Sequence, residues 1–215
     1  MTTDTAKAPA AAAPTPSAAG SLRDLPPKPD FAAIDAASPS TADHRTRVLA
    51  LIGNLVFGWS NNESMLIYVL MLLLETDKIS AAIVFSTLNT TRARLDLIQR
   101  LAKAKIGDRD LLTAVDKLVD RFSQSTRDRN ELNHCIYGVN EQGEITHTQT
   151  MRVREMRGRI QFGEIRKVDQ ERIKELTATS AELKRLNREI WDLLPRLEKY
   201  FARRKAAASA PAAPS

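Results

Sequence analysis

Arg129, Asn130 and His134 place a permanent cation, an amide and an imidazole within about one and a half turns of a predicted helix. Asn130 and His134 are four positions apart and share a face, so the amide can hydrogen-bond a ring nitrogen and fix the tautomer. Arg129 and His134 are five apart, roughly 140° around the axis at 3.6 residues per turn. They diverge unless the helix ends there or a second copy of the site faces the first. A guanidinium that binds phosphate beside an imidazole that moves a proton is the minimum chemistry for cutting RNA without a metal.

The elements that must position these groups are mostly helical. A first helix is expected from Ser40 or Thr41 as N-cap to about Glu75, bent near Gly58, with Ile52, Val56, Trp59, Glu63, Leu66, Leu70 and Leu73 inward. Glu63 either interrupts that stripe as a buried carboxylate that needs a partner, or lies on the surface at a break around Asn61 and Asn62. A second helix is expected from Ile79 to Lys105, with a kink or a short break at Asn89-Thr90-Thr91, with Ala82, Phe85, Leu88, Leu95, Ile98 and Leu101 apolar and with Arg92 and Arg94 solvated, or alternatively one of them near the phosphate site. A third, capped by Asp108, presents Leu111, Val115, Leu118 and Phe122 on one face. The same spacing continues to Ser125, Arg129 and Leu132, so Arg129 points inward. Two inward, opposite charges on separate helices predict a Glu63–Arg129 ion pair.

From Ile136 to Val168 the period changes to two. A turn at residues 140–143 precedes a strand from Ile145 to Val153, with Ile145, His147, Gln149, Met151 and Val153 on one face. Thr146, Thr148, Thr150, Arg152 and Arg154 form the other. A further strand runs from Arg159 to Arg166. His147 shares its face with apolar residues and reads as packing. A last helix, roughly Gln170 to Arg204, buries Ile173, Leu176, Leu183, Leu186, Ile190, Leu193, Leu197 and Phe201, is kinked or restarted at Pro195, and ends in a solvated Arg203-Arg204-Lys205 cluster.

Composition bounds the partners. The 215 residues fit one domain with tails, net charge is +6 and Cys135 is the lone cysteine; the pI is about 9.6. A mild basic excess is compatible with a polyanionic partner but usually marks a solvated surface. One cysteine allows no intrachain disulfide and fits a reducing, cytoplasmic setting; with no partner thiol, Cys135 reads as a packing residue. Residues 1–40, rich in Ala, Pro and Ser, are expected to be disordered, as is the tail 206–215, leaving 41–205 as the folded domain. The start lacks the pattern of a signal peptide, and the apolar run Met65–Leu74 is too short to span a bilayer. No glycine-rich phosphate loop and no His/Cys cluster with metal-ligand spacing occurs, so no cofactor or metal is expected. His44 stands alone at the entry of the first helix.

The pattern Arg-Asn-x-x-x-His, with helices before it, a β insert over about 136–168 and a long closing helix, resembles the HEPN superfamily between about Asp43 and Phe201. Many members with this layout carry Gly after the His, where this chain has Cys135. The resemblance implies a mainly α fold, a HEPN-like helical bundle with a small antiparallel hairpin or meander and a long C-terminal helix. It implies a homodimer and a metal-independent endoribonuclease in which Arg129 holds the scissile phosphate, His134 transfers protons, Asn130 orients the site and Glu63 positions Arg129. A second reading is a non-catalytic interaction module of the same fold. A third, an RNA- or DNA-binding protein without chemistry, rests on the charge and on Arg152 and Arg154. The sequence leaves room for a regulatory partner protein but carries no motif for one.

Overall fold

The computed structural model describes residues 43–141, 143–156 and 158–209. Among the described residues five helices surround the main core, with a small β insert before the last of them: α1 (His44–Leu74), α2 (Lys78–Thr87), α3 (Thr91–Lys105), α4 (Arg109–Asn133) and α5 (Gln170–Ser209). The protein is mainly α, as its periodicity predicts. Asp43 caps α1, its Oδ1 accepting from the Thr46 N–H at 2.8 Å; Ser40 and Thr41, the expected caps, lie outside the described residues, as do residues 1–40 and 210–215 of the expected tails. Ala206–Ser209 belong to α5 instead of a tail. Glu75 closes α1 in the left-handed region, at φ 54°.

α1 runs unbroken through Gly58 and Asn62. At Gly58 the reason for glycine is proximity: an added Cβ would sit 3.4 Å from the Cβ of Leu183 on α5. Asn62 is fully buried, and its amide donates to the Leu183 carbonyl at 2.9 Å and accepts from Asn187 at 2.7 Å. A buried amide left unpaired would cost a few kcal/mol, on the order of 1–3; paired, it fixes the register of α1 against α5. Around it lie Leu55, Trp59, Leu66, Leu70 and Leu73 of α1, Leu111, Val115, Leu118 and Phe122 of α4, and Leu183, Leu186, Ile190, Leu193, Leu197 and Phe201 of α5. Each fully buried aliphatic or aromatic side chain contributes about 1.5–3 kcal/mol. α5 also continues through Pro195, which is exposed and leaves the helix a single element.

Of the two readings at Asn89-Thr90-Thr91, the structure has the break, and the expected second helix is divided into α2 and α3. Thr90 Oγ1 accepts from the Ala93 N–H at 3.1 Å and starts α3 afresh. Arg94 reaches back across the gap, its Nε donating to the Phe85 carbonyl at 3.1 Å and its guanidinium lying 4.0 Å from the centre of the Phe85 ring.

The β insert forms two sheets. β1 (Cys135–Val139), β2 (Ile145–Thr150) and β5 (Ile165–Lys167) make an antiparallel sheet in the order β1-β2-β5, and β3 (Val153–Met156) and β4 (Arg159–Phe162) make a separate ribbon. The long strands expected at Ile145–Val153 and Arg159–Arg166 therefore both break. They break at the same level, where Gly163 adopts φ 75° and donates to the Arg152 carbonyl at 3.1 Å. The expected faces also change. Gly138 pairs with His147 and Val139 with Ile145, which leaves Thr146 as an extra residue in β2. Ile145 and Thr148, three apart, are consequently both buried. His147 packs as expected, its ring lying against Gly138, where any Cβ would overlap it. Ile145 joins Val48, Val168 and Ile173 in a second, smaller core between the sheet, α1 and the start of α5. Among the described residues, no helix is long and apolar enough to cross a membrane.

Glu63 does turn toward the protein, but its partner is Arg94, not Arg129. Glu63 Oε1 accepts from Arg94 Nη1 at 2.8 Å and from Thr91 Oγ1 at 2.6 Å, and the two charged side chains are only 14% and 17% exposed. Arg94, expected to be solvated, is thus the residue that ties α1 to the α2–α3 break, while Arg92 is solvated as expected, with its side chain 91% exposed. Removing one member of such a pair strands the other charge. Arg94→Ala should therefore cost about 3 kcal/mol in urea unfolding, and Arg94→Ala with Glu63→Ala together should cost clearly less than the two single losses added. Simple additivity would show that the pair is not coupled.

Candidate functional site

α4 carries the groups singled out by their spacing, and its inward face extends as predicted: Ser125 and Leu132 are buried and Arg129 is half-buried. The residue that meets Arg129 is Trp59. The indole N–H donates to Thr126 Oγ1 at 2.9 Å, the ring stacks on Phe122 at 5.9 Å and 16°, and Arg129 Cζ lies 3.8 Å from the ring centre. Phe122, Thr126 and Arg129 are spaced four and three apart, so one indole spans two turns of α4. A guanidinium on a tryptophan face is stabilised by about 0.5–2 kcal/mol, depending on desolvation. Trp59 stands one turn before Glu63 on α1, so the expected direction of Arg129 holds while the expected partner does not.

Arg129 Nη1 donates to Asn130 Oδ1 at 2.8 Å, and its buried Nε has no hydrogen-bond partner. Arg94, Arg121, Arg166 and Arg172 each pair with carboxylates. Arg129 pairs with none among the described residues. It is a half-buried cation held by a ring and an amide, with its charge uncompensated.

α4 ends at Asn133, so His134 leaves the helical path, with Arg129 turned inward on Trp59 and the imidazole exposed. His134 is the C-cap, at φ −122° and ψ 38°, and its N–H donates to the Asn130 carbonyl at 3.1 Å. Its own carbonyl accepts from the Met151 N–H at 3.1 Å, so helix and sheet both fix its backbone while the ring stays exposed. The bond expected between the Asn130 amide and the imidazole is replaced by the Arg129–Asn130 bond. Beyond the cap, Cys135 Sγ and the Tyr137 hydroxyl both donate to the Leu132 carbonyl, at 3.2 and 2.8 Å. Burial pushes the Cys135 thiol up and drives the Tyr137 phenol well above its ordinary range. Both groups stay protonated, and Cys135 is a packing and capping residue.

The opposite face of the same turn shows a residue that sequence reasoning passed over. Glu131 Oε1 accepts from Arg166 Nη1 at 2.9 Å and Arg172 Nη2 at 2.8 Å, and both arginines continue to Glu175 Oε2, at 3.0 and 2.8 Å. The four side chains come from α4, β5 and α5, which no periodicity connects; the only signal was a charged residue inside the motif. Beside them a cleft of about 350 Å³ opens between α4 and the sheet, lined by Gln124, Arg127, Asp128, Glu131, Thr150, Arg152, Glu164 and Arg166. Arg152, expected on a basic strand face, lies outside the strands at the rim of this cleft, where three cations face three carboxylates. The side chain of Arg154 lies outside the described residues. Among the described residues no group of three or more His, Cys, Asp or Glu is placed to hold a metal ion.

Comparisons with protein-family models, with curated proteins and with solved structures give no match.

Asp128, in the cleft, has its carboxyl pushed above the usual range, chiefly by burial, with the Thr179 hydroxyl at 3.2 Å and nearby Arg172 opposing the shift. An acid whose folded pKa is raised weakens the fold while it is ionised, and that penalty is relieved as pH falls through the folded pKa toward the unfolded value. Asp128→Asn should therefore raise the urea midpoint at pH 7, with the gain over the parent shrinking as pH is lowered through the carboxylate range. A gain that is absent at pH 7, or that grows on acidification, would refute the burial penalty.

Proposed function

We propose that this protein is a metal-independent endoribonuclease of HEPN type, acting as a homodimer in the cytoplasm. The observation that carries the reading is Arg129: a half-buried guanidinium kept in place by Trp59 and Asn130 and without a carboxylate partner among the described residues. Such a cation is ready for an anion, and a phosphodiester supplies one whose two non-bridging oxygens match the two-pronged donor edge of the planar guanidinium. The exposed imidazole of His134 at the end of the same helix supplies the proton transfer.

In the proposed reaction a base takes the proton of a ribose 2′-hydroxyl, and the 2′-oxygen forms a bond to the adjacent phosphorus. Arg129 stabilises the negative charge on the non-bridging oxygens as the phosphorane forms. The bond from phosphorus to the 5′-oxygen breaks as an acid delivers a proton to that oxygen, leaving a 2′,3′-cyclic phosphate and a free 5′-hydroxyl. Base and acid are two imidazoles, and each chain has one at this site. Two copies about a two-fold axis supply both, with two guanidiniums in one cleft. Imidazole and guanidinium together cover the proton and charge requirements of the step. Asn130 acts on Arg129, holding its Nη1, and Glu63 has no part in the site.

The same packing favours a second reading. A guanidinium flat against an indole is also a stable structural joint, and a dimerisation or interaction module would need nothing more from it.

Purified protein with labelled RNA in excess EDTA separates the two. The nuclease reading expects RNA, and not DNA, to be cut to products ending in 2′,3′-cyclic phosphate. His134→Ala should slow cutting by at least about 100-fold, the lower range for a lost general acid or base. Arg129→Lys should cost on the order of 100-fold, since an ammonium cannot make the two-pronged contact. Cleavage that needs metal, survives His134→Ala or acts equally on DNA would exclude the mechanism. An intact dimer that cuts no RNA would leave the interaction module, and a monomer by light scattering at micromolar concentration would remove the two-imidazole site.

A further inference from the structure

At the other end of α4, roughly 39 Å from His134 at 1.5 Å per residue, α5 and the α3–α4 junction enclose a second cleft of about 450 Å³. Arg196, Lys199, Arg203 and Arg204 of α5 line it together with Tyr200 and Asp108. Arg196, Lys199 and Arg203 recur three and four residues apart and therefore lie along one face of α5. Arg204 is tied to the neighbouring helix, its Nη1 donating to the Lys105 carbonyl at the end of α3, at 2.8 Å. Arg196, Lys199 and Arg203 are exposed and make no ion pair among the described residues.

Little in the cleft offsets this charge. Asp108, the one carboxylate lining it, is occupied as the cap of α4, accepting from the N–H groups of Asp110 and Leu111 at 3.0 and 2.9 Å. The N-terminal end of the α4 dipole adds positive potential at the same place. Tyr200 is held by its hydroxyl, which accepts from the Gly107 N–H at 2.8 Å and donates to the Lys105 carbonyl at 3.3 Å. Recognition here is by charge, along a row, and has no dedicated donor for one small anion. That suits a chain of phosphates better than a single phosphate group.

We propose that this cleft binds the sugar–phosphate backbone of a single-stranded RNA, gripping the substrate away from the bond to be cut. The proposal rests on the RNA reading of the 129–134 site, which supplies the reason to prefer RNA over other polyanions. Because the contacts are to phosphates, binding is independent of base sequence and strongly weakened by salt. It also implies that short RNAs, unable to reach both ends of α4, bind more weakly than long ones.

The test uses the full chain carrying His134→Ala, so that binding is read without cleavage. Fluorescence anisotropy with labelled single-stranded RNA is compared with and without Arg196→Gln, Lys199→Gln and Arg203→Gln together. The triple variant should bind at least about 10-fold more weakly, and its plot of log K against log salt should be shallower by about 2, three contacts at about 0.7 each. Its thermal melting should match the parent, since these side chains make no ion pairs that folding depends on. Unchanged affinity and slope would overturn the proposal. So would polyglutamate or phosphatidylserine vesicles binding the parent more tightly than RNA, which would assign the cleft to an acidic protein or a membrane. If RNA binds as expected while the parent chain cuts nothing, the nuclease reading fails and this one stands. If RNA is cut but the triple variant binds normally, the reverse holds.

Discussion

The carboxylate of Glu131 is the joint on which the placement of the site turns. It belongs to the last full turn of α4 and accepts from an arginine of β5 and an arginine of α5 at once. Its two contacts differ in weight. Arg172 is 10% exposed at its side chain, so its charge is costly unless paired, whereas Arg166 and Glu175 are 34% and 46% exposed and their attraction is screened by water. Arg172 holds the Glu175 carboxyl below its usual range. That depressed value adds stability above the ordinary glutamate pKa, and the stability is lost as pH falls through the lowered value, so acid weakens the hold of Arg172 on Glu175.

Residues 129 and 131 are roughly 200° apart on a helix. The end of α4 is therefore held from opposite sides, by the indole of Trp59 on one and by Arg166 and Arg172 on the other. Between these clamps the chain leaves the helix directly into β1. The last carbonyls of a helix need partners, and Cys135 and Tyr137 supply them at Leu132. No residue here enters the left-handed region. The backbone after His134 therefore has no need of a glycine in this chain, which accounts for a cysteine at that position.

α4 and α5 were legible because each buries one stripe, and stripes are local; α1 instead buries Val69 to Leu73 on all sides. All eight apolar positions assigned to α5 are buried, and the α4 stripe carries correctly through to Arg129 and Leu132. Partnerships across elements were not. Periodicity gives the direction of Glu63 and Arg129 but not the distance along two crossing helices, and one turn of offset gave Glu63 to Arg94 and Arg129 to Trp59. The gap between α2 and α3 was visible as a kink or a short break; the Arg94 bond to the Phe85 carbonyl across it, a contact over nine residues, has no period to announce it. Strict alternation in β2 concealed one extra residue at Thr146, and a single such residue reverses which face is buried after it. Arg129 and His134 stand out by residue type and spacing, while Glu131, inside the same motif, required the folded chain to show what it holds.

The charges thus fall into two populations with different environments. Arg94 with Glu63, and Arg172 with Glu131, are enclosed pairs, and salt in solution screens enclosed pairs weakly. Arg196, Lys199 and Arg203 stand in water with no partner among the described residues, where screening is strongest. Arg129 is intermediate, half-buried and uncompensated. At 0.15 M ionic strength the screening length is about 8 Å, far less than the length of α4, so the two cationic regions cannot act on a ligand as one field. Each must engage its own part of it. Raising salt from low to physiological strength should then weaken any polyanion held at the α5 cleft well before it disturbs the fold, because the pairs that hold the helices are those that the solvent reaches least. A chain with a small net charge of +6 can in this way be a weak electrostatic attractor overall and still present local regions whose arginines have no carboxylate partner among the described residues.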